Sequence, residues 1–178
     1  MNLGDLGGLF ALLFVAHQVG DYWVQTHHQA NHKHLCDRRG RLACAGHVVT
    51  YTTGTAVAVL VAILAFGAPI SITGFLAGQA ISAATHYWAD RRFTLERLAG
   101  LLGKSRFYRL GQPREIAAYT EVVTIDGEDY ELHVYPHTVG DGRQEWDNPS
   151  LGTGAHALDQ AWHYTWLLVA AVVTLGIG

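Results

Sequence analysis

Three pairs of histidine and aspartate stand out in this sequence of 178 residues, because the two members of each pair lie four positions apart. The pairs are His17 with Asp21, His86 with Asp90, and Asp159 with His163. On an α-helix, residues at i and i+4 share one face, so each pair can direct two ligand-type side chains at one point. A fourth histidine, His47, opens a further apolar segment.

Imidazoles and carboxylates are the groups that hold zinc, manganese or iron in proteins. We predict a divalent metal site, with Zn²⁺ preferred and Mn²⁺ or Fe²⁺ as alternatives. Its candidate ligands are His17, Asp21, His47, His86, Asp90, Asp159 and His163. Seven groups exceed one tetrahedral shell, so some must orient the ligands or hold a second ion.

The three aspartates of this set, Asp21, Asp90 and Asp159, are also candidate catalytic bases, since a carboxylate beside a metal can take a proton from bound water. The competing hypothesis is a metal-free network of His–Asp hydrogen bonds that holds helix ends together.

The segments that carry these residues are apolar enough to cross a membrane. No Asp, Glu, Lys or Arg occurs from Leu42 to Ala89, and Gly67-Ala68-Pro69 supplies a turn within that tract. A spanning helix needs about 20 mainly apolar residues. We therefore predict an all-α integral membrane fold with four transmembrane helices at about 6–25, 45–66, 70–91 and 159–177.

Two other interpretations of these segments are weaker. A soluble helical bundle would need charged outer faces, which these segments lack. A cleaved signal peptide at the first segment would need a basic start and a small-residue cleavage site, whereas His17, Gln18 and Asp21 lie at its end.

The region 92–157 is the only sizeable polar part and predicts a small α+β insertion. Phe93 to Leu102 has helical amphipathic spacing, either on the membrane surface or as a continuation of the third helix. Tyr119 to Ile125 and Tyr130 to Tyr135 predict a β-hairpin that turns at Asp126-Gly127. The predicted domains are 1–91 with helices one to three, the insertion 92–157, and 158–178 with helix four.

Basic residues predict the orientation of the chain in the membrane. Lysine and arginine concentrate in the two long loops, whereas the amino terminus, the turn between helices two and three, and the carboxyl terminus have none. Short loops rich in these residues stay in the cytoplasm. Both termini are thus expected outside and both long loops inside, which puts all seven candidate residues on the cytoplasmic side.

The segments around the candidate residues resemble blocks of the DUF3307 family of bacterial and phage integral membrane proteins. His17-Gln18-Val19-Gly20-Asp21-Tyr22-Trp23-Val24-Gln25-Thr26, followed by Ala30 and Lys33, is similar to the opening HxxxDxxxQT…A..K pattern. The later blocks match in order at His47-Val48-Val49-Thr50-Tyr51, Thr85-His86-Tyr87-Trp88-Ala89-Asp90 and Leu158-Asp159-Gln160-Ala161-Trp162-His163. The insertion 92–157 has no counterpart in the pattern.

The resemblance implies a polytopic bacterial inner-membrane protein with a His/Asp site, and it implies no particular reaction. The layout is more loosely similar to YdjM-type membrane-bound metal-dependent hydrolases, and that similarity implies hydrolysis only by analogy.

The sequence therefore predicts an inner-membrane metal protein, and if it is an enzyme, a hydrolase of a membrane-borne lipid, isoprenoid phosphate or peptide. The alternatives are movement or sensing of ions or protons, haem binding by facing histidines, and a structural subunit. The net charge of −3 gives no reason to expect nucleic acid as a partner. Gly74-Phe75-Leu76-Ala77-Gly78 is a GxxxG motif, which fits close packing within the chain or a homo-oligomer.

Overall fold

The computed structural model describes residues 2–110, 119–125, 127–134 and 154–177, and within them four long helices pack together beside three short ones and a hairpin. In chain order the elements are α1 (Leu3–Val19), a π-helical turn (Gly20–Val24), α2 (His27–His32), α3 (Arg38–Phe66), α4 (Ile72–Asp90), α5 (Phe93–Leu101), α6 (Ser105–Tyr108), β1 (Tyr119–Ile125), β2 (Glu128–Val134) and α7 (Gly154–Gly176). The long helices α1, α3, α4 and α7 fall where the four apolar segments predict helices.

Local capping groups explain where the long helices begin. Asn2 and Asp5 form a reciprocal capping box at the start of α1, and the Ser71 hydroxyl accepts the backbone N–H of Gly74 at the start of α4. The Asp37 carboxylate accepts the N–H of Gly40 at 2.8 Å, so α3 begins at Arg38, seven residues before the predicted start at about 45. The helix ends at Gly67, whose positive φ of 66° suits a glycine.

Two of the helical segments, Leu3–Val24 and Arg38–Phe66, are long and apolar enough to cross a membrane, whereas α4 and α7 fall short of that apolarity. Only 22% and 28% of the most apolar stretches of the first two are buried inside the protein. These values differ from those of a core helix of a soluble protein, which would be mostly buried.

The GxxxG motif brings α4 against α7 within the chain. A Cβ atom added at Gly74 would lie 2.6 Å from the carbonyl oxygen of Ile177, and one at Gly78 would lie 3.0 Å from that of Ala170. The Ser71 hydroxyl also donates a hydrogen bond to the carbonyl oxygen of Ile177. The glycines thus allow the backbones of α4 and α7 to approach closely, as expected for this motif.

At one end of the bundle, the core is apolar apart from the buried hydroxyl side chain of Thr174. Its buried members come from the middle of α1 and the second halves of α3 and α7, namely Leu9, Leu13, Ala58, Val59, Ala62, Leu167, Ala171 and Leu175. The polar residues discussed below lie at the opposite ends of the same helices.

The amphipathic segment forms a separate helix, so its interpretation as a continuation of the third helix is wrong. The chain turns at Arg92, which has a positive φ of 54°, before α5 begins. Leu95 and Ala99 of α5 are buried with Tyr108, against the ends of α4 and α7. Contact with a membrane surface stays a prediction for α5.

The predicted hairpin is confirmed. Strands β1 and β2 are antiparallel, with Tyr119 opposite Val134 and Ile125 opposite Glu128, and Gly127 in the turn has a φ of 84°. The second strand begins two residues earlier than predicted, and Asp126 and Tyr135 lie outside the described residues. The division into 1–91, 92–157 and 158–178 stays a prediction.

Candidate metal centre

All seven candidate residues come together at the end of the bundle opposite the apolar core. Helices α1 and α4 end there, and α3 and α7 begin there, because the four helices alternate in direction. The set comprises His17 from α1, Asp21 from the π-helical turn, His47 from α3, His86 and Asp90 from α4, and Asp159 and His163 from α7. The four histidines and Asp90 are at most 3% exposed.

Two histidines and two aspartates form the centre of the cluster. The Nε2 atoms of His47 and His86 are 3.0 Å apart. Asp21 Oδ1 lies 3.3 Å from the first and 3.5 Å from the second, and Asp90 Oδ2 lies 3.4 Å from each. Ligand bonds of 2.0–2.1 Å to a tetrahedral zinc ion put neighbouring ligand atoms about 3.3 Å apart. These five separations match that value, so the central group has the spacing of a metal shell.

Several buried polar atoms of this group have no hydrogen-bond partner. They include the Nδ1 atoms of His47 and His86, Asp21 Oδ1 and Asp90 Oδ2. Buried polar atoms are nearly always paired with protein, water or an ion, so each exception needs a cause. An ion between the two Nε2 atoms would satisfy both carboxylate oxygens at once. His47, His86 and Asp90 indeed meet the spatial requirement for a three-residue metal site.

Lys33 contributes the one basic side chain that contacts the cluster among the described residues. Its Nζ atom lies 2.7 Å from Asp90 Oδ1, and the lysine side chain is 11% exposed. The Arg91 guanidinium donates to the carbonyl oxygens of Lys33 at 3.1 Å and Leu35 at 2.5 Å, which fixes this stretch of chain after α2 over the site. Three carboxylates against one ammonium leave a charge of −2 when the histidines are neutral.

His17 and Tyr51 line the side of the cluster that faces the bundle core. The His17 Nδ1 atom is 3.5 Å from Asp21 Oδ2, and neither ring nitrogen of His17 has a hydrogen-bond partner. The Tyr51 ring stacks on His86 with centroids 3.8 Å apart, and its hydroxyl group is 2.7 Å from Ser82 Oγ. Tyr51 therefore fixes the plane of a candidate ligand.

A second group extends from the centre towards solvent. His163 Nε2 lies 3.5 Å from Asp159 Oδ1, and these two residues with Asp90 also meet the spatial requirement for a metal site. The Asp159 side chain is 27% exposed, the most open of the candidate carboxylates. Asp159 therefore forms the outer edge of the cluster among the described residues.

The i,i+4 spacing of histidine and aspartate did not predict that Lys33, Tyr51 and Arg91 belong to the site. Tyr51 follows His47 by four residues, so the i+4 rule applied to the remaining histidine would have found it. Lys33 stands in the resemblance pattern without a role, and no local signal predicts its ion pair with a residue 57 positions away.

Other candidate ligands lie outside the cluster. His28 and His32 stack on each other on α2, with ring centroids 4.3 Å apart. Cys36 is exposed and Cys44 is buried, and both are free thiols.

The side chains of Trp88 and Trp162 stack between α4 and α7, with ring centroids 4.4 Å apart. This contact keeps the two helices in register beside the site.

No protein-family model, curated protein or solved structure matches this chain. The resemblance to the DUF3307 family therefore stays a prediction, and the geometry of the cluster is the basis for inferring function.

Proposed function

We propose that this chain is a four-helix integral membrane protein that binds one divalent metal ion, Zn²⁺ by preference, and uses it to hydrolyse a membrane-borne substrate. The observation that carries the proposal is the central group, in which two histidine nitrogens and two carboxylate oxygens of buried or half-buried residues converge with the spacing of metal ligands.

The membrane assignment is supported by the outer surfaces of the four long helices. Each of them exposes large apolar side chains, including Leu3, Val15, Val49, Val57, Leu64, Phe66, Ile72, Leu76 and Leu168. Apolar surface on every side of a bundle is costly in water and is satisfied by lipid. The exposed apolar side chains therefore support four membrane-spanning helices. Helices α4 and α7 are less apolar because they carry polar residues of the buried site. We further propose the orientation predicted above, with the cluster on the cytoplasmic side of a bacterial inner membrane.

Charge balance supports a single divalent ion at the centre. A buried charge of −2 is costly, and an ion of charge +2 neutralises the three carboxylates together with Lys33. Protonation of two histidines would also balance the charge, and that is the metal-free alternative. In that alternative, the 3.0 Å contact between His47 Nε2 and His86 Nε2 is a hydrogen bond in which one ring donates and the other accepts.

Individual roles follow from burial and distance. His47, His86 and Asp90 are the proposed ligands, because all three are buried and their ligand atoms are 3.0–3.4 Å apart. A zinc ion held by these three residues would lower the pKa of a bound water molecule to about 7. Asp21 Oδ1 faces the same point and is the proposed base. Its other oxygen lies 3.5 Å from His17, which can receive the proton from Asp21.

The apolar core argues against transport of ions through the bundle. Two polar contacts continue inward from the cluster, Tyr51 with Ser82 at 2.7 Å and Thr55 with Gln79 at 2.9 Å. Beyond them the buried side chains of the described residues are apolar except for Thr174. A closed site favours chemistry or sensing at one membrane face over movement of ions to the other.

The first test is the metal content of protein purified in mild detergent without a histidine tag. We expect about one equivalent of Zn²⁺, Mn²⁺ or Fe²⁺ at the central group, lost in His47→Gln and Asp90→Asn but kept in the control His27→Gln, whose side chain is exposed. Wild-type protein that holds no metal and takes none up on addition of Zn²⁺ would overturn the proposal.

The second part of the test separates the base from the ligands. Asp21→Asn should keep the central ion and lower hydrolysis of lipid phosphates or peptides by roughly 10²- to 10⁴-fold, the usual contribution of a general base. Loss of metal in Asp21→Asn would instead make Asp21 a ligand. Full activity in that variant would exclude it as the base.

A further inference from the structure

We propose that the cluster holds a second divalent ion, bound by Asp159 and His163 and joined to the first through Asp90. This inference rests on the proposed function, since it adds an ion to the same site. It concerns the outer part of the cluster, between the central group and solvent.

Asp90 belongs to two sets of residues that each meet the spatial requirement for a metal site. One set is His47, His86 and Asp90, and the other is Asp90, Asp159 and His163. In two-metal hydrolytic sites the ions lie about 3.5–4 Å apart and share ligands. Asp90 lies where such a shared ligand is needed, with α3 on one side and α7 on the other.

The geometry around His163 supports an ion there. His163 is 3% exposed, and its Nε2 atom has no hydrogen-bond partner although Asp159 Oδ1 is 3.5 Å away. That distance is too long for a good hydrogen bond and suits two neighbouring ligands of one ion. The rings of His86 and His163 are tilted by 32° with centroids 4.2 Å apart, so the two histidines can serve neighbouring ions.

His17 lies beside the outer group and keeps its proposed role as the residue that receives the proton from Asp21. Its ring is buried, lies 5.0 Å from that of His163 between centroids, and has two nitrogens without hydrogen-bond partners. One divalent ion already balances the negative charge of the cluster, so a second ion would give the cluster a net charge of +2. It would therefore bind together with an anion such as hydroxide or the phosphate group of a substrate.

The test is a titration of metal-free detergent-solubilised protein with Mn²⁺, followed by elemental analysis and electron paramagnetic resonance. We expect two Mn²⁺ per chain and the broadened signal of two coupled ions. His163→Gln and Asp159→Asn should each reduce this to one ion with the six-line signal of isolated Mn²⁺, while His27→Gln behaves like wild type.

Two results would overturn the second site. One Mn²⁺ per chain in wild type, unchanged in His163→Gln, would leave the single-ion proposal intact and remove this one. Two ions that both persist in His163→Gln and Asp159→Asn would place the second ion elsewhere. Complete absence of Mn²⁺ and Zn²⁺ from wild type would overturn the proposed function as well.

Discussion

At the scale of single residues, the cluster depends on Lys33 as much as on the metal-ligand candidates. Its ammonium group contacts Asp90 Oδ1, while Asp90 Oδ2 faces the two histidines. Lys33 therefore orients the carboxylate and offsets part of its charge when no metal is bound. When a metal is bound, the lysine and the ion repel each other across Asp90.

Lys33→Met should destabilise the metal-free protein by about 3 kcal/mol, because a buried carboxylate loses its partner. The metal-bound protein should lose less, since the ion still compensates Asp90, and by linkage the variant should bind Zn²⁺ more tightly than wild type. Thermal unfolding in detergent with chelator and with excess Zn²⁺ measures both effects.

Lys104→Met is the matched control for this variant, because Lys104 is exposed. It should match wild type in both conditions. An equal loss of stability for Lys33→Met with and without Zn²⁺ would contradict the proposed charge coupling.

At the scale of elements, the contact between α4 and α7 positions both halves of the cluster. These helices carry His86 and Asp90 on one side and Asp159 and His163 on the other. Gly74 and Gly78 keep them close at the far end, and stacked Trp88 and Trp162 keep them close near the site. The indole N–H of Trp162 also donates to the carbonyl oxygen of Thr85 at 3.2 Å. Separation of the two helices would therefore widen the site.

Gly74→Ala should destabilise the protein by roughly 1–3 kcal/mol, since its methyl group would meet backbone atoms of α7 that cannot move independently. It should also reduce metal occupancy. Gly7→Ala on α1 is the control, because a methyl group there meets nothing within 4 Å and alanine favours helix. Thermal unfolding and metal analysis of both variants check this, and equal stability of the two would contradict close packing as the role of Gly74.

At the scale of the whole molecule, the bundle has an apolar exterior, an apolar core at one end and ionisable groups buried at the other. Large apolar residues on the outside of α3, such as Val49, Val57 and Leu64, are 54–83% exposed. A soluble protein would place charged residues there. The same arrangement is expected in a membrane, where charged residues face the bundle interior and lipid contacts the apolar exterior.

The proposed orientation predicts the activity of reporter fusions. Alkaline phosphatase fused after Gly178 should be active, because that end is expected outside, and the same reporter fused after Gly103 should be inactive. A cytoplasmic fluorescent or β-galactosidase reporter should give the opposite pattern at the two positions. Inactive phosphatase at Gly178 with intact fusion protein would reverse the orientation or exclude the membrane.

Local sequence patterns were enough to predict the four long helices, the hairpin and the three His–Asp pairs, but not α2, α6 or the π-helical turn. Apolar segments and the i,i+4 rule act within a few residues, so the apolar tract and the pair His86 and Asp90 were informative without any fold. The start of α3 at Arg38, capped by Asp37, was not predicted, because the boundary of this helix was set from composition and not from capping residues.

Only the tertiary structure decided which of these groups meet. The contact of His47 with His86 joins residues 39 positions apart, and that of Lys33 with Asp90 joins residues 57 apart. Each depends on how two helices are rotated and crossed, and a shift of one residue turns a side chain by about 100° around the helix axis. The tertiary structure likewise decided that Asp90 faces two groups of ligands, because the approach of α4 to both α3 and α7 is a property of the packed bundle.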